Sequence, residues 1–210
     1  IARHNLYQIT QELALVKRYL TEGRLWELVE IRCRAHPALL DALRRLETYQ
    51  GFLEATEPLS RDWALFYTGS ETRGRPAFKR YLDRLRESYV PPTAKAMLFV
   101  GSESKPYSRV FAEEFAAARR AGYTPVVMSP FGPVPAELDE VYPLAQSVFP
   151  TIEDAETAAG ARKETMDFLG SMFEGFEENG SSAVDGDLEY DADLLRAEAV
   201  ARYQFGKAAA

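Results

Sequence analysis

Lys95-Ala96-Met97-Leu98-Phe99-Val100, closed by Gly101, and Pro125-Val126-Val127-Met128-Ser129 are two short apolar runs on either side of a stretch that reads as a helix over 108–121, stopped by Gly122. Near-continuous apolar runs of this length that end in Gly or Ser are the pattern of buried parallel strands. A helix between two such strands makes a crossover, which is right-handed in nearly all known cases. Upstream, Trp63–Thr68 is a third run of the same kind, followed by a helix over 76–88 that Pro76 enters at its first turn. Strand, helix, strand, helix, strand predicts an α/β fold: a three-stranded parallel βαβαβ sheet layer with flanking helices.

Immediately downstream, Ser129–Pro150 carries five of the twelve prolines together with Phe131, Leu138, Val141, Tyr142, Leu144, Val148 and Phe149. Each proline fixes φ and removes a backbone donor, so helix or central strand is excluded across most of this stretch. The large apolar groups exclude a solvated linker. The expectation is a packed, irregular loop at a strand end, where recognition elements commonly sit. Glu137, Asp139 and Glu140 read as caps of a short helix after Pro135.

Upstream of the sheet, Leu6, Ile9, Leu13, Val16 and Leu20 alternate by three and four, one face of an amphipathic helix closed by Gly23. Leu25–Arg34 is a second helix with Trp26 and Val29 inward, and Pro37 opens a third with Leu39, Leu43 and Leu46. The predicted organisation is a three-helix subdomain over 1–55, the α/β domain over 56–178, an acidic linker over 179–190 and a terminal helical segment over 191–210.

The formal net charge of −7 is unevenly spread. Residues 1–120 hold 20 Lys/Arg against 15 Asp/Glu, and residues 121–210 hold 5 against 17, so a polyanion would meet the first part. No apolar run approaches the roughly 20 residues needed to span a bilayer. The single Cys33 supports neither a disulfide framework nor a cysteine-rich metal site, and fits a cytoplasmic chain. The densest basic run is Arg73, Arg75, Lys79, Arg80, Arg84 and Arg86, with Phe78 and Tyr81 interleaved. Arginine forks grip phosphate well, and clustered phosphate neutralisation is the main source of nucleic-acid affinity. Arg73, Arg75, Lys79 and Arg80 are therefore the candidate phosphate contacts. Phe78, Tyr81, Leu82 and Leu85 form the buried stripe of the same helix, and a solvated outer face is the competing reading. The loops at the three strand ends, Gly69-Ser70-Glu71, Gly101–Tyr107 and the proline loop, are expected to converge, which makes Lys105 a further nucleic-acid candidate with Tyr107 and Ser108 beside it. No catalytic constellation is present.

Arg3-His4-Asn5-Leu6-Tyr7 with Gly23-Arg24-Leu25-Trp26-Glu27-Leu28-Val29-Glu30, Phe66-Tyr67-Thr68-Gly69-Ser70-Glu71 with Arg75-Pro76, the block Pro130–Pro150 and the closing Tyr203-Gln204-Phe205-Gly206-Lys207 resemble the archaeal tRNA-guanine(15) transglycosylases. The likeness lies between their catalytic barrel and their terminal PUA domain. The resemblance implies exchange of guanine at position 15 of tRNA for preQ0 in archaeosine biosynthesis, by a homodimer, with chemistry in a barrel this chain lacks. It also implies a structural zinc held by three cysteines, absent here, and one histidine, which falls on His4. This segment would be inactive alone and would support tRNA positioning and inter-domain packing. The chain also resembles archaeosine synthase, which acts on preQ0-containing tRNA. Lys105-Pro106-Tyr107 matches that enzyme's distinctive stretch, but Val100-Gly101 stands in place of Pro-Cys, Val110 in place of Ser and Glu113 in place of His. A non-catalytic spacer or dimerisation module is the remaining alternative.

Overall fold

A computed structural model describes residues 2–101 and 104–173. The expectations for 174–178, the linker over 179–190 and the segment over 191–210 lie outside the described residues.

The chain opens with α1 (Ala2–Thr21), α2 (Leu25–Cys33) and α3 (Pro37–Arg45). Gly23 turns α1 into α2 at φ +65°, a left-handed conformation suited to glycine. His36 begins α3: its Nδ1 accepts the Ala38 N–H at 3.1 Å, and Pro37 takes the first position, where no donor is needed. The group holds a further helix. One 3₁₀ turn over Leu46–Tyr49 leads into α4 (Gln50–Thr56). The inward face of α2 is also not the expected one. Trp26 and Val29 are half-buried, while Glu27, Leu28 and Glu30 are buried.

The α/β class holds, with a different sheet. Strands β2 (Ala96–Val100) and β3 (Thr124–Ser129) pair in parallel, Leu98 opposite Val126. The crossover between them contains α6 (Tyr107–Val110) and α7 (Ala112–Arg120), two short helices where one was expected. The third strand is β4 (Gly132–Pro135), inside the proline loop and antiparallel to β3. It sits at the sheet edge. Pro133 and Pro135 alternate along it, so both missing N–H groups fall on the outward side, where no ladder bond is required. Its hairpin turn reaches Gly132 at φ +131°, and Ser129 Oγ closes the turn by donating to the Gly132 carbonyl at 2.8 Å.

The run at Trp63–Thr68 contributes only β1 (Leu65–Phe66), which pairs in parallel with β5 (Ser147–Val148) in a separate two-stranded sheet. The physical reason lies in its burial. Leu65 and Tyr67 are buried while Phe66 between them is exposed, the alternation of a strand covered on one side. Residues 96–99 are buried without interruption, as a strand covered on both faces must be.

Helices α5 (Pro76–Ser88) and α8 (Ala155–Met172) complete the layer. Asp154 caps α8, accepting the Thr157 N–H at 2.8 Å. The phenylalanines of the proline loop, Phe131 and Phe149, are core, and Tyr142 is half-buried. Phe131 and Leu144 are fully buried, and the Phe131 ring lies 4.5 Å from that of Phe78, centroid to centroid. Two tyrosine hydroxyls hold the loop's backbone: Tyr67 donates to the Pro130 carbonyl and Tyr81 to that of Pro133, each at 3.1 Å. Asp139 caps a different helix from the one expected. It accepts the Ser108 N–H at 2.7 Å and so opens α6.

Candidate nucleic-acid interface

The basic run lies on α5 and the 3₁₀ turn before it, Ser70–Gly74. Ala77, Phe78, Tyr81, Leu82 and Leu85 form the buried face, which the helical spacing anticipated. The charged residues then divide by what already holds them.

Arg75 is not available to phosphate. It is 1% exposed, and its guanidinium forks onto Glu30 of α2 through Nε and Nη2, both at 2.6 Å. Nη1 reaches Glu27 at 3.4 Å, and Arg61 meets the same Glu27 oxygen at 3.3 Å. Glu30 also accepts hydrogen bonds from the hydroxyls of Thr68 and Thr72. Two glutamates and two arginines, their side chains at most 8% exposed, thus neutralise one another at the junction of the first helices with the α/β layer. A buried charge persists only when it is paired and hydrogen-bonded in this way. Residue type suggested a surface cation. The partner, 45 positions away, gave no local signal.

Arg80 is also occupied. Its guanidinium donates to the backbone carbonyls of Glu54, Glu57 and Pro58, the orphan acceptors at and beyond the end of α4. Arg73 is largely covered and lies 3.7 Å from Glu164 of α8. Lys79 is half-buried and has no hydrogen-bond or ion-pair partner among the described residues. Arg84 is exposed and likewise without a partner among them. The cations of α5 left without a partner among the described residues are therefore Lys79 and Arg84, which stand five positions apart and so on different sides of the helix.

The predicted convergence of loops forms in part: the segment carrying Lys105 meets the proline loop, while the third loop leaves a different sheet. The Gly69–Glu71 loop follows a strand of the other sheet, and Glu71 pairs with Arg34 at 2.8 Å and Arg44 at 3.5 Å. Burial works to raise the Glu71 carboxyl, but the Arg34 hydrogen bond and the two guanidinium charges outweigh it and hold the group below its ordinary range. Tyr107 is fully buried. Lys105 turns inward: Nζ donates to the Leu144 carbonyl at 2.5 Å and lies 4.7 Å from the centroid of the Phe149 ring. Burial pulls its ammonium down to about 8, against the opposing charge of Asp139. Lys105 thus anchors the proline loop rather than facing solvent.

His4 is exposed on the first turns of α1. Among the described residues, no three His, Cys, Asp or Glu side chains gather where a metal could bind, so these residues do not by themselves fit a zinc site. On the same helix no residue is buried, and Leu6, Ile9, Leu13, Val16 and Leu20 are 39–66% exposed. A strip of this kind, regular in spacing yet unburied, is what an amphipathic helix shows when its partner surface is elsewhere.

Residues 78–174 match a family model described as a domain of unknown function, DUF5591. The whole chain aligns at 36% identity with a protein of Methanothermobacter thermautotrophicus named tRNA-guanine(15) transglycosylase, covering 34% of that protein. A Methanobrevibacter smithii protein of the same name is 34% identical over 98% of the chain and 34% of its own length. One from Methanococcus maripaludis is 39% identical over 74% of the chain and 23% of its own length. This chain is homologous to a segment of the archaeal tRNA-guanine(15) transglycosylases. It spans about a third of the length of the first two transglycosylases. No described helix is long and apolar enough to cross a membrane.

Proposed function

We propose that this chain is the part of a tRNA-guanine(15) transglycosylase that joins the catalytic barrel to the tRNA-binding end of the enzyme and helps hold the tRNA. The observation that carries the reading is homology along the entire chain to proteins of that name. The whole enzyme would exchange guanine at position 15 of tRNA for preQ0 on the route to archaeosine, in the cytoplasm and as a homodimer. Glycosyl exchange would occur in the remaining two thirds of the protein, and this segment would be inactive alone. The uncovered face of α1 supports packing against that remainder: exposed apolar strips of this size are unfavourable in water and are usually covered. His4, at the start of the same helix, would supply one imidazole to a zinc whose cysteine ligands come from outside this chain. Zinc is commonly held in such a mixed, tetrahedral set.

Of the candidate phosphate contacts this reading retains Lys79, and it adds Arg84, which is exposed and without a partner among the described residues. Arg75, Arg80 and Lys105 are assigned instead to holding the fold, and Arg73 to a partly covered pairing with Glu164. The test is turnover by the full-length protein on tRNA carrying guanine and on tRNA carrying preQ0 at position 15. Base exchange on the former is expected. Turnover confined to preQ0-containing tRNA would replace this reading with that of an archaeosine synthase.

A further inference from the structure

Four of the concave surfaces on the described residues are separated by their charges. The cleft between α3, α5 and α8, about 690 Å³, is lined by five cations and five carboxylates. The hollow between α2, α4 and Trp63, about 730 Å³, sets Arg61 against Glu22, Glu57 and Asp62. A smaller one beside α8 carries only Glu153 and Asp154 as charged residues. The fourth differs from all three. It is a groove of about 390 Å³ between α5 and the Leu138–Tyr142 turn, mainly apolar, whose only charged lining residues are Arg80 and Arg84.

We infer that this groove receives a single unstacked nucleobase of the tRNA, with Arg84 on the adjoining phosphate; the inference rests on the tRNA-positioning role proposed above. Three tyrosines, Tyr81, Tyr89 and Tyr142, contribute to the walls, and aromatic walls in a cationic groove are how proteins hold single-stranded bases. The walls are set in advance. Tyr89 packs on Phe168 with centroids 6.0 Å apart, and its hydroxyl donates to Glu137 at 3.2 Å. Tyr81 is tied to Pro133, and Arg80 to the end of α4. Arg84 is held by nothing among the described residues. It stands one helical turn beyond Arg80 and is free to meet an anion. The rim is apolar and open, with Val90 82% and Val141 46% exposed, and a volume near 400 Å³ lies in the lower range of small-ligand pockets. A flat base fits this set of walls, and its phosphate supplies the negative charge that the lining lacks.

The test uses the full-length protein and its tRNA. Val141→Trp fills the groove from an exposed position, and Arg84→Ala removes a side chain without partners among the described residues, so neither disturbs the core. Each is expected to weaken tRNA binding by about fivefold or more, the lower end of what one stacked base contributes. Arg84→Ala alone should reduce the slope of log affinity against log salt by about one, and Val141→Trp should leave it unchanged. A benzophenone amino acid placed at position 141 should cross-link to one nucleotide. Wild-type affinity in both variants, or a cross-link from 141 to protein alone, overturns the inference. If position 79 captures RNA while 141 does not, the segment positions tRNA by another surface and the groove assignment is wrong. If neither captures RNA, the positioning role itself falls, and this inference with it.

Discussion

Arg75 is the residue on which the first helices and the α/β layer depend together. Its two short bonds to Glu30 and its contact with Glu27 are made where almost no solvent reaches. Removing one partner leaves the others charged and buried, which costs about 3–5 kcal/mol. Arg75→Ala is therefore expected to lower stability by that amount in denaturant unfolding. Arg75→Lys should lose much of it as well, since an ammonium cannot make the paired fork. A loss below about 1 kcal/mol, the range of a surface pair, would show the cluster to be dispensable. Lys105 gives a second residue-level expectation. Its ammonium is depressed to about 8 by burial, below the unfolded value near 10.4. Between those values the unfolded chain binds the additional proton, so Lys105 makes stability rise with pH from about 8 to about 10.4. Replacing it by Met should remove that contribution. NMR titration of the lysine side chain checks the value directly, and an ordinary midpoint above 10 would contradict it.

Among the elements, the proline loop contributes more to the core than its composition suggests. Phe131 touches the rings of Phe78, Tyr81 and Phe149 from the turn between β3 and β4. Phe131→Ala should cost about 3–5 kcal/mol, as aromatic truncations in packed cores do, with the loss read from thermal or denaturant unfolding. A much smaller loss would mean the loop is not core. Several elements were legible in sequence because one local pattern decides each. The bounds of α5 follow from Pro76 and the Phe78, Tyr81, Leu82, Leu85 stripe, and β2 and β3 follow from unbroken apolar runs. Pairings were harder to read. A two-residue strand such as β1 carries too little pattern to announce that its neighbour is Ser147–Val148. Nor does an edge strand built on Pro133 and Pro135 resemble a strand until the position of its missing donors is known. The candidate site divided in the same way. The helix carrying the cations was visible, but which of the candidate cations face solvent was set by Glu30 for Arg75, Glu54 for Arg80 and Leu144 for Lys105, each far along the chain.

At the scale of the whole molecule, the described residues form a support with two unfilled surfaces. One is the apolar face of α1. The other is the pair of cations Lys79 and Arg84 on different sides of α5, which have no partner among the described residues. Under the proposed function, with relatives about three times this length, the first would be the contact with the barrel and the second the contact with tRNA. Cations that position substrate without touching the reacting base should affect substrate binding rather than chemistry. The decisive measurement is steady-state base exchange by the full-length protein carrying Lys79→Glu and Arg84→Glu together. The account predicts a KM for tRNA raised about tenfold or more with kcat retained. An unchanged KM would contradict it.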